Sequence, residues 1–366
     1  MRCKISLVRF LLAVSTASAA QAAPPPHSLS EYLRPDGKRE AYYAAGDPYL
    51  ELAFQLINDY WNKISTSGRS LLRGHLDNYL PLELKRLEHK PAEAMMRSFA
   101  DSFFASAHPK TGLISYSYKS FSPVYLAHTG GRQPVYLVAR GEEFLQWFPD
   151  DKTLLEKNLA LAAATVKYFD FHFETDSRNV GLASLVDVET GRQESIIALA
   201  QDYGAVGRAM AELSRKTGKA DLAAWADKKL QFVWQHRLNA DLPILNVEFT
   251  PTAALMNDGG TSDTDTLYYV RQLFDIYHIT GDAKYRDWAM AVTDLWYERA
   301  WVPEWGQFIR KLRPDGSPAV DSLYGDAKYN TLHILVHAYR VTKDAKYLER
   351  QDDPGTRAFS ATDHLR

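Results

Sequence analysis

The sequence has very little cysteine. Its one cysteine, Cys3, lies two residues after the initiating methionine. Removal of the first residues would therefore leave neither a disulfide nor a thiol nucleophile, and it would exclude a cysteine zinc site. An excess of charge of one sign is also lacking, because 43 basic residues stand against 45 acidic ones. Nucleic acid, which is bound by strongly basic surfaces, is therefore not a predicted partner.

Several recognisable segments are missing as well. No apolar run approaches the roughly 20 residues of a transmembrane helix, so no membrane span is predicted. The chain has no phosphate-binding Gly-Lys-Ser loop, dinucleotide fingerprint, Gly-x-Ser-x-Gly elbow or His-Glu-x-x-His helix. His333 and His337 have the i, i+4 spacing of metal ligands, but packing in an aromatic helix is favoured because no third ligand is near. The cofactor is left open between none and a divalent cation.

The N-terminus is typical of a secretory signal. It combines a basic start, a short apolar run from Phe10 to Val14 and small residues up to Ala23. We expect a periplasmic or secreted protein. The predicted organisation is a signal peptide at 1–23, an extended segment at 24–47, one catalytic domain at 48–352 and a polar tail at 353–366. Cleavage is expected after one of two small-residue motifs, Ala17-Ser18-Ala19 or Ala20-Gln21-Ala22.

A repeat of about 63 residues organises the chain. Similar turns begin at Thr217, Thr280 and Thr342, which are 63 and 62 residues apart. Each turn closes one amphipathic helix and opens another. The predicted first helices are 134–148, 194–214, 263–279 and 326–341. The predicted second helices are 91–107, 153–173, 221–236 and 284–299, and a further helix is expected at 48–64.

Long connections that contain glycine and proline join one hairpin to the next, as at 239–260 and 302–325. A hairpin that cannot bury its own apolar face must stack on its neighbours. The predicted fold is therefore all-α, an α/α toroid of helical hairpins with the long connections and small β-hairpins at one mouth. The alternative, an open superhelix, usually has shorter repeats without long connections.

Polar residues in the connections are the candidate site, because loops on a rigid scaffold usually carry function. Acids stand where inner helices are expected to begin, and they could serve as caps, catalytic groups or cation ligands. The turn Pro314-Asp315-Gly316 predicts a β-hairpin beside a tryptophan and several cations. The candidate catalytic residues are Tyr116, Tyr118, Arg132, Glu194, Asp263, Asp265 and Asp326. The candidate substrate-binding residues are Lys119, Glu304, Trp305, Arg310, Arg313 and Tyr324.

The chain resembles the α/α-toroid carbohydrate-active enzymes, which include six-hairpin glycosidases, unsaturated-uronide hydrolases and periplasmic pectate lyases. The resemblance rests on the hairpin repeat, the Thr280-Gly281-Asp282-Ala283-Lys284-Tyr285 turn and the Thr111-Gly112-Leu113-Ile114 strand entry. It implies an enzyme that acts on an acidic polysaccharide or oligosaccharide. Because the Arg-His dipeptide of the pectate lyases does not occur here, no catalytic residue is carried over from that family.

Three functions are compatible with these residues. A uronate lyase needs a cation to neutralise the carboxylate, a base for the C5 proton and an acid for the leaving oxygen, for which the tyrosines and arginines are suited. A glycoside hydrolase needs two carboxylates around the glycosidic bond. A glycan-binding accessory protein would need neither arrangement. The sequence favours the lyase, because its cationic and tyrosine-rich loops are as well marked as its acidic ones.

Overall fold

The computed structural model describes residues 90–114, 131–172, 180–195, 198–249, 261–303, 306–319 and 326–350. Helices make up most of these residues, and no described helix is long and apolar enough to cross a membrane. In chain order the helices are α1 Lys90–Ala105, α2 Leu137–Trp147, α3 Lys152–Phe169, α4 Ala200–Thr217, α5 Ala220–Gln235, α6 Thr266–Thr280, α7 Ala283–Arg299, α8 Asp326–Thr342 and α9 Lys346–Glu349.

The helices alternate between two layers. Helices α2, α4, α6 and α8 each contact the next of the four and form the inner layer, whereas α3, α5, α7 and α9 each pack on the inner helix that precedes them. The inner layer is tightly packed between α4 and α6, where a Cβ on Gly204 would lie 3.0 Å from the Cα of Tyr269. Tyr203 is fully buried and stacks on Phe232 of α5. Every hairpin therefore depends on its neighbours for burial.

All the described strands lie in the connections that lead from an outer helix to the next inner helix. Three antiparallel pairings join successive connections: β1 with β4, β6 with β7, and β8 with β11. These connections therefore meet at one end of the helices, which we call the mouth. The strands are β1 Arg132–Pro134, β2 Asp170–His172, β3 Val180–Leu182, β4 Leu185–Asp187, β5 Gln193–Ser195, β6 Ala198–Leu199, β7 Glu248–Phe249, β8 Ser262–Asp263, β9 Trp301–Val302, β10 Gln307–Phe308 and β11 Lys311–Leu312.

The repeated turns at the opposite end share one backbone conformation. Gly218, Gly281 and Lys343 all have positive φ, at 72°, 75° and 61°. Each donates its backbone N–H to a carbonyl four residues earlier, which ends the inner helix. Glycine adopts this conformation without the steric cost that a side chain brings. Lys343 is the only described residue other than glycine with a positive φ, so the third copy of the turn is strained.

The Lys-Tyr pair that follows each turn anchors one outer helix to the previous one. In α7 the Tyr285 hydroxyl donates to Asp227 of α5 at 2.7 Å, and Lys284 lies 2.7 Å from the same carboxylate. In α9 the same two residue types bind Asp294 of α7. The repeated Lys-Tyr motif therefore makes the same contact between outer helices in both hairpins.

Most predicted helices are confirmed, with four corrections at their ends. Residue 134 belongs to β1 and α2 begins at Leu137, residues 170–172 form β2 instead of extending α3, residues 193–195 and 198–199 form β5 and β6 instead of opening α4, and residues 262–263 form β8 before α6. In each case pairing with a neighbouring strand overrides the helical pattern. The predicted turns at Gly112 and Gly316 are confirmed by positive φ angles. The signal peptide, the segments 24–47 and 48–64 and the tail 353–366 lie outside the described residues.

We predict opposite effects from exchanging glycine and a side chain at the equivalent turns. Lys343→Gly should raise the free energy of unfolding by about 1 kcal/mol, and Gly281→Ala should lower it by about the same amount. A Cβ on Gly281 would meet nothing within 4 Å, so the alanine should report backbone strain alone. Urea unfolding followed by circular dichroism measures both changes. A destabilised Lys343→Gly variant would contradict this account.

Candidate functional site

Seven of the predicted site residues can be placed in the described structure. Four of them form two acid–arginine pairs at the mouth, and Asp265, Arg313 and Asp326 lie in the same group of connections. The side chain of Asp326 is not described, although the residue begins α8 as predicted. The other six predicted residues lie outside the described part of the chain: Tyr116, Tyr118, Lys119, Glu304, Trp305 and Tyr324.

The first pair joins the entry to α2 with the entry to α4. Arg132 on β1 forms an ion pair with Glu194 on β5, across the three-stranded sheet β1-β4-β5. Arg192 also donates to Glu194, at 3.1 Å. Glu194 was predicted to begin an inner helix, and this is wrong, because the turn at 187–191 leads into β5. The guanidinium of Arg132, predicted as a catalytic cation, is bound to an acid of the protein itself.

The second pair joins the entry to α6 with the entry to α8. Nε of Arg310 lies 2.9 Å from Oδ2 of Asp263, and its Nη2 lies 3.9 Å from Oδ2 of Asp265. Strand pairing holds the pair together, because Asp263 on β8 is in register with Lys311 on β11 and Thr264 donates its backbone N–H to Arg310. One guanidinium therefore lies between two carboxylates.

The two carboxylates differ in their surroundings. The side chain of Asp263 is 8% exposed and also accepts hydrogen bonds from the Thr264 hydroxyl and the Asp265 backbone N–H, each at 3.1 Å. The side chain of Asp265 is 47% exposed. Asp263 was expected to cap or begin α6, but it lies in β8 and the N-cap is Asp265, whose side chain makes no capping hydrogen bond. Asp265 is therefore positioned to meet a ligand.

The predicted hairpin carries Arg313 at its turn. The Arg313 backbone accepts from Gly316 and donates to Ser317, and the Arg313 guanidinium donates to the carbonyl of Pro318. The side chain is exposed. The hairpin prediction is thus confirmed around the turn, although β11 takes its longer pairing from β8.

A second set of charged side chains connects the inner helices, and sequence reasoning missed most of it. We call Glu142, Arg208, Arg271, Asp275 and His337 the inner-ring cluster. Nη2 of Arg208 on α4 lies 2.8 Å from Oε2 of Glu142 on α2, which is buried. Burial raises the pKa of Asp275 on α6, while Arg208 and Arg271 oppose that rise. The cluster thus spans consecutive inner helices.

His337 is the member with unused hydrogen-bonding capacity. Its ring stacks on Phe274 with centroids 5.5 Å apart, as the packing interpretation of this histidine expected. Its Nδ1 atom is buried without a hydrogen-bond partner. Burial, together with the positive charges of Arg340, Arg271 and His278, lowers the pKa of His337 to about 3. The imidazole is therefore neutral at any ordinary pH.

Comparison with known proteins identifies the architecture. No family model and no curated protein matches the chain. Among solved structures, a cellobiose 2-epimerase from Bacillus thermoamylovorans B4167 is 14% identical with a TM-score of 0.55, over 70% of this chain and 69% of that one. A GH76 α-mannanase from Bacteroides thetaiotaomicron is 15% identical with a TM-score of 0.51, over 74% and 71%. An unsaturated glucuronyl hydrolase specific for heparin is 15% identical with a TM-score of 0.51, over 72% of each chain.

The fold is an α/α toroid. The predicted fold class and the fold-level resemblance to carbohydrate-active enzymes are confirmed. All three of these toroids are described as acting on carbohydrates, whereas their chemistries differ. At 15% identity or less, these likenesses assign no residue of the site.

An acid with a raised pKa also lies at the start of an inner helix. Burial raises the pKa of Asp202, in the first turn of α4, to about 6, and its carboxylate accepts from the backbone N–H of Leu199. The Leu-Ala-Gln-Asp segment that opens the helix lacks a Ser or Thr cap, so no local pattern predicts this capping acid. No group of three His, Cys, Asp or Glu residues in the described part of the chain is arranged to hold a metal ion.

The lowered pKa of His337 predicts a loss of stability in acid. The ordinary pKa of a histidine is 6.5 and the pKa of His337 in the folded protein is about 3. Between these two values the unfolded chain binds a proton at this histidine and the folded protein does not. The contribution of the neutral imidazole to the free energy of unfolding is complete above pH 6.5 and is lost progressively as the pH falls toward 3.

His337→Phe should remove this part of the acid sensitivity while keeping the ring on Phe274. Urea midpoints of the wild-type protein and the variant, measured from pH 7 to about pH 4, test the effect. The comparison variant is His236→Phe, at the end of outer helix α5, which shows whether replacing any histidine by phenylalanine has the same effect. If the urea midpoints of the wild-type protein and of His337→Phe changed with pH in the same way, the lowered pKa of His337 would be contradicted.

Proposed function

We propose that this protein is a carbohydrate-active enzyme that hydrolyses glycosidic bonds at the mouth of its toroid, with Asp265 as the base or nucleophile and Asp263 as the residue that positions Arg310 beside it. The observation that carries the proposal is the unequal environment of these two acids around Arg310. One carboxylate is buried and hydrogen-bonded, and the other is half-exposed only 3.9 Å from the same guanidinium.

The chemistry of glycoside hydrolysis accounts for such an arrangement. One carboxyl group protonates the leaving oxygen, and a second activates water or attacks the sugar. Arg310 stabilises negative charge on both aspartates, which suits the role of base or nucleophile better than that of acid. Asp265 is the group that can reach a substrate, and Asp263 holds Arg310 in place. The acid partner must then come from another connection at the mouth.

The likeness to other toroids supports a carbohydrate substrate. Of the similar structures, one is a mannanase and one hydrolyses unsaturated glucuronyl units, and both act by hydrolysis. The substrate that we propose is a polysaccharide or oligosaccharide. The sequence analysis favours an acidic one, and this preference is part of the proposal.

A uronate lyase is the second candidate, and one observation favours it. Arg313 presents an exposed cation on the hairpin beside β8, where it could neutralise the carboxylate of a uronate. Against it, Arg132 and Arg310 both bind acids of the protein. A substrate carboxylate would have to displace these acids. The tyrosines suggested as acid or base, Tyr116 and Tyr118, lie outside the described residues.

Product analysis decides between the two reactions. The purified protein is incubated with pectate, alginate, glucuronan and neutral mannans, with and without calcium or manganese. Hydrolysis gives new reducing ends without the ultraviolet absorbance of a C4–C5 double bond, whereas β-elimination gives both. New absorbance would replace hydrolysis by the lyase. Tight binding without either product would support the glycan-binding accessory protein instead.

The proposal predicts that Asp265→Asn lowers kcat by about 10²- to 10⁴-fold, the range for loss of a general acid or base. Asp263→Asn should also lower it, since Arg310 would lose its buried partner. The matched control is Asp287→Asn on outer helix α7, where the acid is exposed and pairs only with Arg286 among the described ion pairs. Full activity in a folded Asp265→Asn protein would rule out this assignment.

We also propose that the protein is exported through its N-terminal signal. Expression of the full chain in a Gram-negative host, followed by N-terminal sequencing of the periplasmic fraction, should give a chain that begins at Ala20 or Ala23. Leu12→Arg, which interrupts the apolar run, should keep the chain in the cytoplasm. A protein that retains Met1 in the wild-type sequence would contradict export by this route.

A further inference from the structure

An acid in the first turn of α4 lies at the height of Asp265. Asp202 and Asp265 are 63 residues apart in the chain, which is the length of the repeat. The glycines that end their helices, Gly218 and Gly281, have the same spacing and the same backbone conformation. Because an α-helix rises by a constant distance per residue, the two aspartates stand equally far from these turns. Both therefore lie at the mouth, on successive inner helices.

Two contacts hold the beginnings of α4 and α6 together. The helices pack tightly just after Asp202, where a Cβ on Gly204 would lie 3.0 Å from the Cα of Tyr269. The connection that leads to α6 also pairs with the entry to α4, since Leu199 on β6 is in register with Glu248 on β7. Asp202 is therefore held in a fixed position relative to the acids that precede α6.

The surroundings of Asp202 differ from those of the other two aspartates. The residue is partly exposed, and its Oδ2 accepts the backbone N–H of Leu199 at 3.1 Å, which orients the side chain. No ion pair among the described residues includes Asp202, whereas Arg310 lies beside both Asp263 and Asp265. A neighbouring cation favours the charged form of a carboxyl group. Asp202 is thus the aspartate of this group that most readily holds a proton.

The titration of Asp202 agrees with its position. Although part of the residue is exposed, the surrounding protein shields the carboxyl group from water, and this burial raises the pKa of Asp202 to about 6. The hydrogen bond from Leu199 opposes only part of that rise. Catalytic acids work best when their pKa lies near the operating pH. At mildly acidic pH, where an ordinary aspartate is charged, Asp202 keeps a proton that it can donate.

We propose that Asp202 is the general acid of the hydrolysis and works with Asp265 at the mouth. This inference rests on the proposed function and assigns the acid partner that it requires. As the bond from C1 to the glycosidic oxygen breaks, that oxygen takes the proton of Asp202. C1 gains the oxygen of a water molecule, whose proton is taken up by a carboxylate. A purely structural role would be limited to capping α4 through the N–H of Leu199.

The pH dependence of kcat/KM on the polysaccharide that the wild-type protein cleaves tests this role. A general acid must be protonated, so wild-type kcat/KM should fall as the pH rises through about 6. Asp202→Asn should lower kcat/KM by about 10²- to 10⁴-fold and remove this alkaline decline. Asparagine still accepts the N–H of Leu199, so the cap is kept. Wild-type kcat/KM in the variant, or an unchanged alkaline decline, would overturn the assignment.

A comparison of leaving groups separates proton donation from capping. The 2,4-dinitrophenyl glycosides of mannose, glucose and glucuronic acid release a weakly basic phenolate that needs no proton, whereas the phenyl glycosides release a basic one. Asp202→Asn should stay within about 10-fold of the wild-type rate on the first and lose about 10²-fold or more on the second. Asp265→Asn should lose activity on both. Equal losses by Asp202→Asn on the two substrates would support capping alone. For a protein that accepts only polysaccharides, the pH dependence decides.

The matched control is Asp221→Asn. Asp221 also lies in the first turn of a helix, but it is exposed on outer helix α5, which begins at the end opposite to the mouth. This variant should keep the wild-type kcat/KM, the alkaline decline and the response to the leaving group. Thermal unfolding of all the variants establishes that they fold.

The inference and the proposed function fail in different ways. A wild-type protein that cleaves no glycosidic bond would remove both. Cleavage that depends on Asp265 but not on Asp202 would leave the proposed function standing and remove the assigned acid. The activity of the wild-type protein therefore judges the reaction, and the Asp202→Asn variant judges the acid.

Discussion

The structure depends on one constraint: a single helical hairpin of this chain cannot bury its own apolar side chains. Tyr203 on α4 needs Phe232 of α5 and also Phe249, which belongs to the connection before the next inner helix. The close approach at Gly204 has the same origin, because only a residue without a side chain lets α4 and α6 pack so tightly. Repetition of the hairpin is thus a condition of stability. Polar contacts also join one hairpin to the next, because Tyr285 and Tyr347 each donate a hydrogen bond to an acid on the preceding outer helix.

This constraint also decides where polar chemistry can be placed. Short turns close each hairpin at one end, so the long connections gather at the other end and pair with one another as short strands. The acid–arginine pairs sit on these pairings: Arg132 with Glu194 on the β1-β4-β5 sheet, and Arg310 with Asp263 beside β8 and β11. Backbone ladders fix the positions of both partners. Side chains held in this way lose little additional entropy when they bind a ligand.

The hairpin repeat and the toroid could be predicted from the sequence because the turn motif recurs in the same register and each copy has a local cause. The residues at which α4 and α6 begin could not be predicted from the sequence. Residues 194 and 263 continue the helical pattern, but their hydrogen bonds go to strands that are distant in sequence, and no local signal reports such pairing. The acids and arginines of the mouth could be singled out individually. Their mutual pairing could not be foreseen, since Asp263 and Arg310 are separated by a whole hairpin.

The inner-ring cluster was harder to predict for a different reason. Glu142, Arg208 and Asp275 lie on amphipathic helices whose polar face would ordinarily be assigned to solvent, and only closure of the hairpins around a centre turns that face inward. Once inside, charges must be paired or hydrogen-bonded, and most of these are.

His337 departs from that rule, because its Nδ1 atom is buried without a hydrogen-bond partner. Its ring is nevertheless held in place by stacking on Phe274 of α6, so packing between inner helices decides where this side chain lies. The acids and arginines of the mouth are positioned differently, because strand pairing between connections brings Asp263 beside Arg310. The polar groups of the mouth therefore depend on backbone pairing between successive connections, whereas those of the inner ring depend on how closely the inner helices pack.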